Sequence, residues 1–132
     1  GIATDHISVR TSSYYGINKQ SKKIRVHGLH YLIENANAND KLLIVDDVFD
    51  SGRSVDALIK KIRKQSRLNT PDDIRVACPW YKPSKNAVKF EPDYFIHESE
   101  EWLVFPHELA GLEADEITQG KSDLTNIRHL FE

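Results

Sequence analysis

The sequence predicts an α/β domain whose parallel-sheet core is flanked by helices. Three observations predict it: an unbroken apolar run, "LLIV" at 42–45, a helical pattern over 53–67 reached through one tight turn, and a second short apolar strand, "IRVACP" at 74–79. Continuous apolar strands suit a parallel sheet covered on both faces. Strand, turn, helix, strand in that order implies parallel pairing through a right-handed crossover.

Taken in order, "HISVR" at 6–10 alternates like a strand, and "TSSYYGINKQSKK" after it is polar, basic and glycine-containing, the composition of a mobile loop. "KIRVHGL" at 23–29 alternates again, with Ile24 and Val26 on one face, and reads as a second strand returning from that loop. "ENANANDK" is turn-rich. From Arg53 to Arg67, Val55, Leu58, Ile59 and Ile62 recur at helical spacing, and cations gather toward the end, where they suit the helix dipole. "NTPDD" breaks the chain, "WYKPSK" reads as a loop at the carboxyl end of the next strand, and "DYFIHES" near residue 94 as a further strand. Ser122 to Phe131 reads as a capped helix with Leu124, Ile127 and Leu130-Phe131 on its apolar face.

The 132 residues suffice for one compact domain. With 39% hydrophobic and 29% charged residues, no apolar run approaches the ~20 residues that cross a bilayer, so no membrane partner is expected. A formal charge of −2 gives no general attraction to polyanions, and nucleic acid is not an expected partner. Lys60-Lys61, Arg63-Lys64 and Arg67 fit the solvated face of a helix better than a basic patch. The single cysteine, Cys78, suits a buried strand position and a reducing, cytoplasmic setting. No signal-peptide pattern opens the chain, and methionine is absent, including a start methionine. His27, His30 and Glu34 have the spacing of a helical metal site, but Gly28 and the strand-like pattern argue against a helix there.

The chemistry concentrates in "LLIVDDVFDSGRS", residues 42–54. Adjacent carboxylates repel and are costly to bury, so Asp46 and Asp47 at a strand end, with Asp50 close behind, call for a cation or a ligand's hydroxyls. Ligands of α/β sheets collect beyond the carboxyl ends of the strands. The turn from Asp50 through Ser51, Gly52 and Arg53 to Ser54 opens a helix whose free N–H groups and positive dipole end favour a phosphate. Acceptors for sugar hydroxyls or Mg²⁺ beside donors for a phosphate imply a phosphorylated sugar. A phospho-receiver domain also pairs aspartates at a strand end, but it needs a phosphorylatable Asp at the end of a later apolar strand, where this chain has Cys78-Pro79.

This stretch resembles the phosphoribosyl-pyrophosphate (PRPP) signature of type I phosphoribosyltransferases, and the chain is most similar to the 6-oxopurine members. The resemblance implies that Asp46 and Asp47 bind the ribose hydroxyls and take part in holding Mg²⁺. It implies that Asp50, Ser51, Gly52, Arg53 and Ser54 hold the 5′-phosphate, with Asp50 also facing N7 of the base as the catalytic carboxylate. "SSY", Ser12, Ser13 and Tyr14, sits where the bacterial xanthine-guanine type begins its flexible lid. "YKP" resembles the segment whose lysine, here Lys82, contacts the purine 6-oxo group. "EWLVFPHEL" resembles the segment that stacks an aromatic residue on the base, here Trp102, offers the next backbone to it, here Leu103, and carries an acidic residue near the metal, here Glu108. His107 lies in the same segment without an assigned role.

The resemblance further implies Mg²⁺-dependent transfer of a phosphoribosyl group from PRPP to hypoxanthine, guanine or xanthine in purine salvage, by a homo-oligomer (dimer or tetramer). A single domain is expected over 1–132, with a core of about 1–90 and a C-terminal hood of about 91–132 that binds the base. The resemblance covers roughly 1–110 and begins in mid-domain. The family's Arg-Gly-Gly type pyrophosphate loop belongs before residue 1, so the domain is expected to be N-terminally incomplete. The tail from Ala110 to Glu132 exceeds the matched pattern. The alternative is a PRPP- or nucleotide-sensing regulator of the same fold that performs no catalysis.

Overall fold

The computed structural model describes residues 4–15, 22–101, 103 and 105. The chain forms two units, Gly1–Glu100 and Glu101–Glu132. The elements of the first are β1 (Arg10–Tyr15), β2 (Lys22–His27), α1 (His30–Asn35), β3 (Lys41–Val45), β4 (Val48–Phe49), α2 (Arg53–Ser66), β5 (Asp73–Tyr81) and β6 (Tyr94–Glu98).

The main sheet is parallel throughout and centred on β5. β3 runs beside its first half, from Lys41↔Asp73 to Val45↔Ala77, and β4 beside its end, Val48↔Trp80 and Phe49↔Tyr81. β6 takes the opposite edge, because Ala77 pairs with both Val45 and Tyr94, and Trp80 with both Val48 and His97. The register does not slip between β3 and β4. They are one strand line interrupted at Asp46 and Asp47, and the interruption has a chemical cause. The Asp46 amide still donates to the Ala77 carbonyl at 3.1 Å. The reciprocal bond of a parallel ladder would come from the N–H of residue 79, which is a proline.

α2 turns its apolar stripe to this sheet. Val55, Leu58 and Ile62, spaced by three and four residues, are buried with Ile44, Phe49, Val76, Cys78 and Tyr81. Ile62 is only 1% exposed, and burying such a side chain contributes on the order of 2–3 kcal/mol. On the outer face Lys60 pairs with Asp56 at 2.6 Å, while Arg63, Lys64 and Arg67 are exposed, as a solvated helix face requires. Burial pushes the Cys78 thiol up, in keeping with a packed strand residue.

Other expectations are corrected. The strand expected at 6–10 lies at Arg10–Tyr15, and the segment expected to be a loop is strand as far as Tyr15. Alternation in "HISVR" could not locate the strand, because its place depends on β2, which pairs antiparallel from Arg10↔His27 to Tyr15↔Lys22. The helix that Gly28 seemed to forbid does form, at His30–Asn35, because the glycine sits before it as the turn out of β2. Its φ is +88°, and a Cβ there would lie 2.9 Å from the Ser8 carbonyl oxygen. His30 and Glu34 form an exposed i,i+4 pair at 3.2 Å, and His27 belongs to β2. β3 was expected to be covered on both faces, yet Leu43 is 54% and Val45 71% exposed. Leu42 and Ile44 alone among its apolar residues turn toward the core.

Three long-range bonds brace this arrangement. Lys61 of α2 reaches the Val26 carbonyl at 2.6 Å and fastens the β1–β2 hairpin to the helix. The Asp93 carboxylate accepts from the Val76 amide at 2.8 Å and from Arg75 at 2.9 Å, fixing the start of β6 against β5.

Candidate active site

Asp46 and Asp47 occupy the gap between β3 and β4, where the proline-interrupted ladder releases the chain from regular pairing. Asp46 is half-buried and Asp47 exposed. Burial pushes the Asp46 carboxyl above its usual range and the charge of Asp47 adds to the effect, while the Asp47 amide, 3.1 Å from Asp46 Oδ1, opposes it. A carboxylate strained in this way gains from donors or a cation beside it. A divalent cation therefore fits here. Among the described residues no cluster of three His, Cys, Asp or Glu side chains forms. The donor set suited to Mg²⁺ is thus one or two carboxylates, completed by ligand oxygens and water. A cavity of about 160 Å³ between α2 and β3 has Asp46 and Ser54 in its wall among mostly apolar side chains.

Asp50, Ser51, Gly52, Arg53 and Ser54 form the turn from β4 into α2. Phe49 anchors it from the core, with its ring edge-on to Tyr81 and Phe90. Gly52 has a φ of +70° and is buried, and its carbonyl accepts from Asp56 at 2.9 Å as the first helical bond. Gly52 brings no side chain to cap this helix end, and no side-chain cap bond forms there among the described residues. Asp50, Ser51 and Ser54 are half-buried around that end and Arg53 is exposed. Amides, hydroxyls and an arginine gathered at a helix start have the chemistry that suits a phosphate.

The end of β5 lies beside this turn. Lys82 follows β5 directly and is 3% exposed. Its amide donates to the Phe49 carbonyl at 3.0 Å, which brings the lysine's backbone beside the residue before Asp50. A few residues on, the Ala87 amide donates to the Ser51 carbonyl at 3.0 Å. Asn86 holds this return: its Nδ2 donates to the Phe90 carbonyl at 3.0 Å and its Oδ1 accepts from the Val88 amide at 3.0 Å. The sequence reading missed Asn86, Ala87 and Val88. Their signal was the Pro-Ser-Lys-Asn turn chemistry after Lys82, which shows that the chain turns but not which loop it meets.

Asp46, Asp47, the 50–54 turn and Lys82 are thus brought to one end of the sheet. Ser12 is half-buried on β1 opposite Arg25, and Ser13 and Tyr14 lie in the same strand, opposite Ile24 and Lys23. Leu103 is half-buried in the second unit. Trp102, His107, Glu108, the helix expected at 122–131 and the tail from Ala110 lie outside the described residues.

Comparison with solved structures finds the same fold. A purine phosphoribosyltransferase from Pyrococcus horikoshii is 26% identical with a TM-score of 0.52, covering 74% of this chain and 57% of its own. A hypothetical protein from Neisseria gonorrhoeae with bound ppGpp is 23% identical with a TM-score of 0.57, covering 84% of this chain and 63% of its own. A hypoxanthine phosphoribosyltransferase from Staphylococcus aureus is 15% identical with a TM-score of 0.48, covering 69% of this chain and 46% of its own. The chain therefore spans about half to two thirds of the length of these proteins. No curated protein matches it significantly. The model of the phosphoribosyl transferase domain matches residues 7–114, and the chain belongs to that family.

Proposed function

We propose that the chain carries the nucleotide-forming site of a cytoplasmic purine-salvage enzyme. It transfers the 5-phosphoribosyl group of PRPP to a 6-oxopurine (hypoxanthine, guanine or xanthine) and releases pyrophosphate. The observation that carries the reading is the 3.0 Å bond from the Lys82 amide to the Phe49 carbonyl. It sets a buried lysine, suited to a purine oxygen, next to the turn that begins with Asp50.

In this reading Asp46 and Asp47 accept hydrogen bonds from the ribose 2′- and 3′-hydroxyls, and the amides and hydroxyls of 51–54 hold the 5′-phosphate. With the ribose fixed at both ends, the bond from C1 to pyrophosphate breaks, C1 passes through an oxocarbenium-like state, and purine N9 forms the new bond. Asp50 takes the proton the base gives up at N7, as a positioned carboxylate can. Mg²⁺, held by Asp46 and Asp47 with a further contribution from Glu108, would neutralise charge on the departing pyrophosphate. Trp102 stacks on the base and the Leu103 backbone meets its edge. The hairpin segment from Ser12 to Tyr14 leads into a lid that excludes water from the cationic ribose. The enzyme works as a homo-oligomer.

The test is a panel of hypoxanthine, guanine, xanthine, adenine and uracil incubated with PRPP and Mg²⁺, read as nucleotide formed. Turnover of one or more 6-oxopurines, with adenine and uracil inert, is expected. The second reading is a nucleotide sensor of the same fold, favoured by the ppGpp bound to the Neisseria protein. It predicts saturable guanine-nucleotide binding without conversion of any base, and the same panel separates the two.

A further inference from the structure

Glu100, just beyond β6, reaches back to the turn that follows Lys82. One carboxylate oxygen accepts from the Ser84 amide at 3.1 Å and the other accepts from the Ser84 hydroxyl. A single carboxylate thereby holds both donors of one residue. Ser84 is the middle of the 3-10 turn Pro83–Lys85, which has little holding it from within: Lys85 donates to the Lys82 carbonyl and Asn86 to the Pro83 carbonyl, each at 3.2 Å. Such turns have poor hydrogen-bond geometry, so one this short depends on outside contacts. The Ser99 amide donates to the Tyr81 carbonyl at 3.0 Å, so the ends of β5 and β6 already lie side by side where Glu100 makes its grip. The two Ser84 bonds hold the Glu100 carboxyl below its usual range, and the charges of Lys85 and Lys82 act in the same direction. The carboxylate is ionised at neutral pH and its bonds are charge-assisted.

We propose that Glu100 is a positioning residue for base recognition: by gripping both polar groups of Ser84 it fixes the turn that orients Lys82, without itself touching substrate. The purine part of this inference rests on the phosphoribosyltransferase reading above; the clamp does not. Neither Glu100 nor Ser84 was singled out in the sequence, where they are 16 residues apart with nothing to join them.

Glu100→Ala, Glu100→Gln, Ser84→Ala and the Glu100→Ala/Ser84→Ala double variant test it in the whole protein by two readouts. Hydrogen exchange reads the clamp: amides 84–87 are expected to exchange about tenfold faster in Glu100→Ala, with α2 unchanged and the double variant no worse, as for two halves of one contact. Steady-state kinetics read its purpose. KM for the base should rise about fivefold in Glu100→Ala while KM for PRPP and kcat stay within about twofold, and Glu100→Gln, which keeps one acceptor oxygen, should recover most of the base affinity. Unchanged exchange in Glu100→Ala overturns the clamp, whether or not the protein forms nucleotide. Faster exchange with KM for base and PRPP rising together overturns the role in base recognition. Wild-type protein that converts no base overturns the enzyme reading and the base-recognition role with it, and the exchange data then judge the clamp alone.

Discussion

A β-carbon on Gly52 would lie 2.6 Å from Val88 Cγ2, and equally close to the edge of the Phe49 ring. The turn proposed to hold the phosphate is therefore closed over its glycine by the loop that returns from Lys82, and it admits no side chain. Gly52→Ala must strain a φ of +70° and displace a buried ring. It is expected to destabilise the fold by about 2–4 kcal/mol and to weaken PRPP binding. Adding Val88→Ala relieves only one of the two clashes, so thermal unfolding of the double variant should recover part of the loss and no more.

Asp50→Asn keeps the shape of the turn and removes the carboxylate that would take the N7 proton. A fall in kcat of about 10²-fold, with KM for PRPP changed by less than about threefold, is expected from steady-state kinetics. An unchanged kcat would remove the proton role.

Pro79 denies a ladder donor to the strand line at Asp46. Restoring it with Pro79→Ala lets the ladder close there. The expected outcome is an unfolding midpoint equal to or above the parent's, together with weaker PRPP binding, because the Asp46–Asp47 backbone is drawn into regular pairing. A simultaneous loss of stability and affinity would show that the proline serves only packing.

Asp93 ties stability to pH. Partial burial pushes its carboxyl up, yet the Val76 amide and Arg75 outweigh this and hold it below its usual value. A carboxyl lowered on folding contributes stability fully above its unfolded pKa of about 3.9, and loses that contribution as pH falls through the lower folded value. Urea midpoints measured from pH 7 down to pH 3 should therefore fall less steeply for Asp93→Asn than for the parent, from a lower starting point at pH 7.

Much of the site was legible because its signals are local. Period and turn chemistry in consecutive residues put β3, α2, β5 and β6 close to where they lie, and placed Asp46, Asp47 and the 50–54 turn at a strand end and a helix start. What was not legible depends on chain segments meeting from a distance. β1 lies where β2 can pair with it, and α1 forms because Gly28 turns the chain before the helix begins. Leu43 and Val45 look like core residues in sequence, yet apolar composition cannot say how many faces of a strand are covered.

The chemistry proposed for the end of the sheet was readable in the sequence: carboxylates suited to hydroxyls or a cation, and a glycine turn into a helix start suited to phosphate. Those follow from residue type, spacing and backbone freedom, which any short window contains. How that end is closed depends on contacts between distant segments. Lys82 meets Phe49, Ala87 meets Ser51, Val88 roofs Gly52 and Glu100 grips Ser84. Each joins segments separated by a strand, a helix or a long loop, and such contacts form only when the burial of the shared core brings the segments within hydrogen-bonding reach.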